Sequence, residues 1–317
     1  MAKTISLPFE NDICEMENLL SNLETRSGKN HPAEEEIRRI RKELVALKRL
    51  RYGNLSAWET VMVSRHSDRP QFMDYSRLAF EDFTELHGDR ALRCGLVRIG
   101  ETKLMLMGHQ KGKTLAERRE CMYGCAHPEG YRKAIRCMKF AEKFKLPVVC
   151  LIDTPGAFPG IGSEERGIAQ LIADALKEMA LLDTPIICVV IGEGGSGGAL
   201  GIGIGDRIAM LEHSYYSVIS PEGCAGILWK TANEETKPKA AEALRLTSKH
   251  CMKLRVIDEV LPEPLGGAHR DHKEMAGTMK AFILRSIREL KQLKGGLLVE
   301  KRYEKFRRMG EFLETTV

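Results

Sequence analysis

Apolar positions over residues 1–55 recur at helical spacing. Leu19, Leu20 and Leu23 share one face, and Ile37, Ile40, Leu44 and Leu47 repeat at three- and four-residue intervals. The segment Ser27-Gly28-Lys29-Asn30-His31-Pro32 interrupts both stripes, so the spacing predicts a charged helical hairpin. Such a hairpin packs on a partner or lies as a lid on its own core, and both readings stand. From Leu96 onward the period shortens. Leu96–Ile99 and Lys103–Gly108, joined at Gly100-Glu101, read as a β-hairpin. Pro128 opens a helix whose buried face is Tyr131, Ala134, Ile135 and Met138. Two continuous apolar runs, Pro147–Ile152 and Pro185–Ile191, read as buried strands, with a helix over Glu164–Leu182 between them. Strand, helix and strand in that order predict a βαβ unit with a right-handed crossover. Short strands are expected at Arg207–Leu211, Tyr216–Ile219 and Val256–Val260. A helix capped by Ser220-Pro221-Glu222 and a long amphipathic helix over Lys273–Leu293 complete the pattern. The tail Lys301–Met309 reads as a basic, solvated helix face.

The run ending at Ile191 stops in Gly192-Glu193-Gly194-Gly195-Ser196-Gly197-Gly198 and resumes as helix at Ala199-Leu200. Glycines at a strand-to-helix junction leave backbone N–H groups bare for a ligand, and the first amides of a helix favour negative charge. The loop therefore suits an oxyanion or a phosphate.

Composition narrows the choice. The chain has 317 residues, 43% hydrophobic and 29% charged, with a formal net charge of +5. That balance is ordinary for a soluble globular protein and offers no nucleic-acid signature. No segment has the roughly 20 apolar residues that span a bilayer, and the N-terminus lacks a signal-peptide core. Nine unpatterned cysteines without a C-x-x-C pair predict reduced thiols in a cytoplasm. Zinc at Cys121 and Cys125 would need His109 and His127 as further ligands; the reading adopted is no metal on this chain.

Other motifs fail on spacing. Asp153-Thr154-Pro155-Gly156 matches the D-x-x-G of GTPases, but Gly108–Thr114 has Met107 where a P-loop needs glycine, and no N-K-x-D follows. Gly194–Gly198 is not the six-residue G-x-G-x-x-G of a dinucleotide site, and no acidic residue ends a strand about 20 residues later. Gly194–Gly198 satisfies the G-x-S-x-G of a nucleophile elbow, with His213 and His250 as distant candidates for a base; Ser196 also reads as a small residue in a helix-initiating turn. Glu164 and Glu165 fit dipole partners better than acid–base groups. Glu193, inside the loop, is open to either reading.

The segments LHGDR (Leu86–Arg90), GHQKGK (Gly108–Lys113), PEGYRKA (Pro128–Ala134), DTPGAFPGIGSEERG (Asp153–Gly167), VIGEGGSGGALGIGIGD (Val190–Asp206), SVISPEGCAGILWK (Ser217–Lys230) and PEPLGGAHR (Pro262–Arg270) occur in one order. With them the chain resembles the carboxyltransferase α-subunit family of bacterial acetyl-CoA carboxylase. The resemblance implies an α/β, crotonase-like spiral of ββα units, with an N-terminal helical hairpin and a long C-terminal helix. It implies an arm over 1–55, a carboxyltransferase domain over 56–268 and a helical extension over 269–317. It further implies an α2β2 assembly with a zinc-bearing β subunit, and as further partners a biotin carboxyl carrier protein and a biotin carboxylase that uses ATP.

By the same resemblance, carboxybiotin on the carrier gives up carbon dioxide, and the enolate of acetyl-CoA takes it to form malonyl-CoA. The Gly197 and Gly198 N–H groups would hold the biotin oxyanion. Gly156, Ala157, Phe158, Pro159 and Gly160 would shape the biotin slot. Gly194 and Gly195 belong to the same loop, and Ser220, Pro221, Glu222 and Gly223 would line the same cleft. Two other classes remain: a self-contained crotonase-type hydratase or isomerase, and a scaffold subunit without chemistry of its own.

Overall fold

The structure, a computed structural model, describes residues 6–26, 33–86, 88–293 and 295–310. Its described strands form one eight-stranded sheet: β1 (Glu81–Leu86), β2 (Leu92–Ile99), β3 (Thr102–His109), β4 (Val148–Thr154), β5 (Ile186–Gly195), β6 (Arg207–Leu211), β7 (Tyr215–Ser217) and β8 (Glu259–Leu261). The order is β1-β2-β3-β4-β5-β6-β8, and β7 pairs the far end of β5. β1, β2 and β3 are antiparallel, and β3 through β8 run parallel.

The parallel strands are apolar throughout because both faces are covered. In β4 and β5, Val149, Leu151, Ile187 and Val189 face Phe72, Tyr75, Met279 and Ile283. Val148, Cys150, Ile152, Ile186, Cys188 and Val190 face Tyr131, Met138 and Met179. The expected hairpin forms with Ile99 opposite Thr102, and Gly100 takes φ +57° in its turn.

The N-terminal helices Asn11–Arg26 and Ala33–Gly53 pair as expected, and the residues between them lie outside the described ones. Ile40, Leu44 and Leu47 face inward. On the first helix the buried stripe is Ile13, Met16 and Leu20, while Leu19 points to solvent. Arg270 ties the arm to the core through Glu10 (2.8 Å) and Glu17 (3.0 Å).

Four expectations need correction. β1 was absent from the pattern because its residues are mostly exposed. The helix expected over Glu164–Leu182 is two, Ile161–Glu165 and Ile168–Leu181, because Gly167 turns left-handed at φ +78°. β5 does not stop at Ile191: it runs on through Gly195, because β7 pairs Glu193–Gly195 and Thr154 pairs Gly194. The tail is no solvated face. Helix Gly295–Arg307 buries Arg302, and Phe306 and Met309 pack onto the core. Among the described residues, no helix is long and apolar enough to cross a membrane.

Candidate functional site: a glycine loop backed by a buried charge cluster

The loop turns from strand to helix at Ser196, which takes φ +52°, a conformation costly for any residue but glycine. Ser196, Gly197 and Gly198 open the short helix Ser196–Leu200, and first-turn amides have no intrahelical acceptor. Ser196 and Gly197 line an apolar groove of ≈370 Å³ walled by Leu200, Ile204, Tyr216, Val218, Phe306 and Met309. Against apolar walls, N–H dipoles act on a developing negative charge with less screening than in water.

The structure brings several of the expected residues together. A Cβ on Gly198 would lie 2.5 Å from the Ala157 nitrogen and the Gly156 carbonyl carbon. One on Gly195 would overlap the Pro155 carbonyl, so Gly194–Gly198 and Pro155–Ala157 touch backbone to backbone. Thr154 Oγ1 closes the turn, accepting from the Gly156 N–H at 3.1 Å. Phe158 stacks at 4.2 Å on His127, its N–H bonds the Ala126 carbonyl at 3.1 Å, and Pro159 is exposed. A Cβ on Gly160 would meet the Phe158 ring at 2.6 Å.

Ser220 caps the helix Pro221–Trp229, its Oγ accepting from the Gly223 N–H at 3.1 Å. From that stretch of chain, Ser217 and Val218 line the groove instead. Glu222 reaches the site indirectly, through Arg65. Glu164 and Glu165 are exposed on their short helix. Among the described residues, neither His213 nor His250 hydrogen-bonds Ser196; the His213 N–H serves Glu263 (2.9 Å), and the His250 ring meets Thr247 Oγ1 at 3.0 Å.

Behind the loop lies a cluster that spacing alone did not reveal. Glu193 Oε1 accepts from Arg65 Nε and from the Tyr215 hydroxyl, both at 2.7 Å. Lys111 pairs the other Glu193 oxygen and sits 2.7 Å from Asp153 Oδ1. This accounts for the failed P-loop: the lysine serves two carboxylates. Burial pushes the Glu193 pKa up, but Lys111 and Arg65 outweigh it and hold the carboxyl at about 2. Asp153 moves the other way, because burial prevails over Lys111. The cluster lines a polar cavity of ≈220 Å³ with Ser64, His66 and Arg118. Beside it, Arg69 and Glu263 form a fully enclosed pair at 2.9 Å. The traces in the sequence were the lysine of GHQKGK and an acid inside a glycine run.

Two buried histidines set an acid limit. Burial, helped by Lys111, holds the His109 ring at about 3. Burial, with His66 and Arg270, holds His269 at about 2. An unfolded chain protonates both below about 6.5, so their contribution to stability is full above that pH and is lost as pH falls toward 3. The expected slope is up to about 1.4 kcal/mol per pH unit for each ring. Glu193 and Glu263, both held at about 2, add a further loss below about pH 4.5. A thermal midpoint unchanged between pH 7 and pH 5 would contradict this.

Among the described residues, Glu10, His66 and His269 are the one trio with ligand atoms within 4.8 Å of each other, and no such group forms around Cys121 and Cys125. The Glu10 carboxylate already accepts from Tyr52 (2.7 Å), Arg270 (2.8 Å) and the Leu7 N–H (2.9 Å). The two rings stack at 4.0 Å, 21° from parallel, so their lone pairs run side by side rather than converge. We expect the purified chain to carry far less than one zinc ion; stoichiometric zinc by elemental analysis would overturn this.

Comparison with known proteins agrees with this geometry. The family described as acetyl co-enzyme A carboxylase carboxyltransferase-like matches residues 6–310. The acetyl-coenzyme A carboxylase carboxyl transferase subunit alpha of Rhodopirellula baltica is 55% identical over 314 residues, 97% of this chain and 98% of that protein. The subunit of the same name from Geobacter metallireducens is 47% identical, over 99% of this chain and 100% of that protein. Among solved structures, transcarboxylase 12S with methylmalonyl-coenzyme A bound superposes at TM-score 0.55 and 19% identity, over 68% of this chain and 42% of that one. The geranyl-CoA carboxylase β subunit of P. aeruginosa gives 0.55 and 18%, over 74% and 45%. The chain spans less than half the length of these solved chains, and they show its fold to be that of the crotonase-like carboxyltransferases. The sequence matches run end to end, and the chain belongs to the acetyl-CoA carboxylase carboxyltransferase α-subunit family.

Proposed function

We propose that this chain forms the biotin-side half of a carboxyltransferase that moves a carboxyl group from carboxybiotin to acetyl-CoA, giving malonyl-CoA. The observation that carries the reading is the placement of Ser196 and Gly197, the first residues of a helix, at the wall of an apolar groove, with Gly198 next in the same turn. The groove fits a neutral ring system, and among the described residues its polar features are Tyr216, Ser217 and the helix start. Carboxybiotin, when bound, supplies carbon dioxide and leaves negative charge on its ureido oxygen. Gly197 and Gly198 donate N–H groups to that charge. Gly194 and Gly195 hold those amides against Gly156 and Ala157. Leu200, Val218 and Phe306 exclude water. Phe158, Pro159 and Gly160 shape the mouth of the slot, and Ser220–Gly223 carry Glu222 to Arg65.

Among the described residues no carboxylate, histidine or lysine lines the groove, which disfavours a self-contained hydratase or isomerase. The thioester oxyanion needs donors of its own, and these fall to a β subunit in an α2β2 assembly, which also holds zinc. The biotin is borne by a carrier protein and charged by a biotin carboxylase that consumes ATP. The arm (1–55) and extension (269–317) flank the carboxyltransferase domain (56–268). The nine unpaired cysteines support a cytoplasmic location. The test is carboxyl transfer from malonyl-CoA to biocytin by the stoichiometric complex with the β subunit. A complex that forms but transfers nothing would overturn the reading.

A further inference from the structure

We infer that Glu193 is a positioning residue for the reaction proposed above: clamped between Lys111 and Arg65, its carboxylate fixes where the Gly194–Gly198 backbone stands. This rests on the reading of that loop as the oxyanion site. The reason lies in the sheet. β5 pairs β6 only from Ile187 to Val190, and β7 only from Glu193 to Gly195. Ile191 and Gly192 pair with neither strand. On the other edge, the β4 ladder shifts register between Ile152 and Thr154. Both ladders therefore slacken at one point, immediately before the loop. A strand that changes neighbours is weakly fixed along its own axis by backbone bonds alone.

Side chains supply the missing constraint there. Arg69 Nε donates to the Ile191 carbonyl at 2.7 Å. Asp153 Oδ1 accepts the Glu193 N–H at 2.9 Å. The Glu193 carboxylate is then held from both sides, by Lys111 on one oxygen and by Arg65 and Tyr215 on the other. Arg65 comes from the end of helix Ala57–Ser64, and Lys111 from just after β3. Two distant elements thus grip the residue next to Gly194. Glu193 lines the polar cavity rather than the groove, so it acts on the reaction through the backbone.

The cluster tolerates loss of this one charge. Without it, Lys111 still faces Asp153, and Arg65 still faces Glu222. Glu193→Gln therefore leaves balanced charges and a similar shape, and loosens the grip.

The experiment uses the full complex with the β subunit, malonyl-CoA and biocytin, and hydrogen exchange of the peptide covering 189–200. With Glu193→Gln, kcat is expected to fall about 10²-fold, the cost of displacing catalytic groups by about 1 Å. Both KM values stay within about threefold, because binding elsewhere is unchanged. Exchange in 189–200 speeds up about tenfold or more. Ile99→Val is the control. It trims a fully buried side chain at the β2–β3 turn, away from the groove, and should lower the melting temperature without changing kcat of the folded complex or exchange in 189–200. A Glu193→Gln complex with kcat within about threefold of the parent, or with unchanged exchange, overturns the inference. If Glu193→Gln does not assemble, Tyr215→Phe removes one donor to Glu193 and decides instead: a lower kcat at unchanged KM supports the clamp, and an unchanged kcat refutes it. If the parent complex transfers nothing, the reaction assignment has failed, while the exchange measurement still judges the clamp.

Discussion

Gly198→Val is expected to cut carboxyl transfer by at least about 10³-fold, the upper range for losing an oxyanion-hole donor. A side chain at 198 has nowhere to go. Its first carbon would stand 2.5 Å from the backbone of Gly156 and Ala157, and backbone cannot swing aside as a flexible side chain can. The valine acts as a wedge between the two loops. It moves the Gly197 amide off the groove and shifts Gly198 with it, and it also strains the junction of β4 and β5. Reading the sequence alone, one would expect a blocked ligand and an undisturbed fold; the contact predicts a lower melting temperature as well. Gly277→Ala serves as comparison, because its Cβ meets nothing within 4 Å on helix His272–Leu290. That variant should keep full activity and gain up to about 1 kcal/mol of helix stability. The measurement is turnover beside circular dichroism and co-purification with the β subunit. An assembled Gly198→Val complex with parental turnover would show that this loop is not the oxyanion site.

The isolated chain is expected to transfer no measurable carboxyl group, and adding the β subunit should raise the rate by at least about 10³-fold. In the proposed reaction negative charge develops twice, on the biotin oxygen and on the thioester oxygen. Each needs donors placed beforehand, because reorganising water at the moment of reaction is costly. Among the described residues, one glycine-rich helix start meets the groove, so the second set has to come from another chain. The assay is malonyl-CoA consumption with biocytin as acceptor, by the chain alone and by the complex. Robust transfer by the chain alone would mean that both oxyanions are served here, and the division between two subunits would fall.

Much of this molecule is local. Apolar runs such as Val148–Ile152 and Ile186–Val190 are continuous because both sheet faces are covered, and a continuous run announces that burial in any context. The same holds for Ser220-Pro221, where cap and fixed φ start a helix without outside help. These features depend on residues next to one another, so the order of residues specifies them.

The charge cluster is different in kind. Arg65 lies 128 positions from Glu193, and Lys111 lies 82 from it. Each is an ordinary charged residue in its own neighbourhood, and nothing local separates it from a solvated one. The tail shows the same limit. Lys301–Met309 has the charge of an exposed helix, yet Arg302 is enclosed because Asp206 and the carbonyls of Met179, Leu182 and Thr184 converge on its guanidinium. Glu193–Gly195 stay in a strand because β7 arrives to pair with them. Burying a charge is tolerable only where a partner already waits. That partner is chosen by how the chain packs, so which charges become the interior of this site is settled by tertiary contact, and periodicity carries no trace of it.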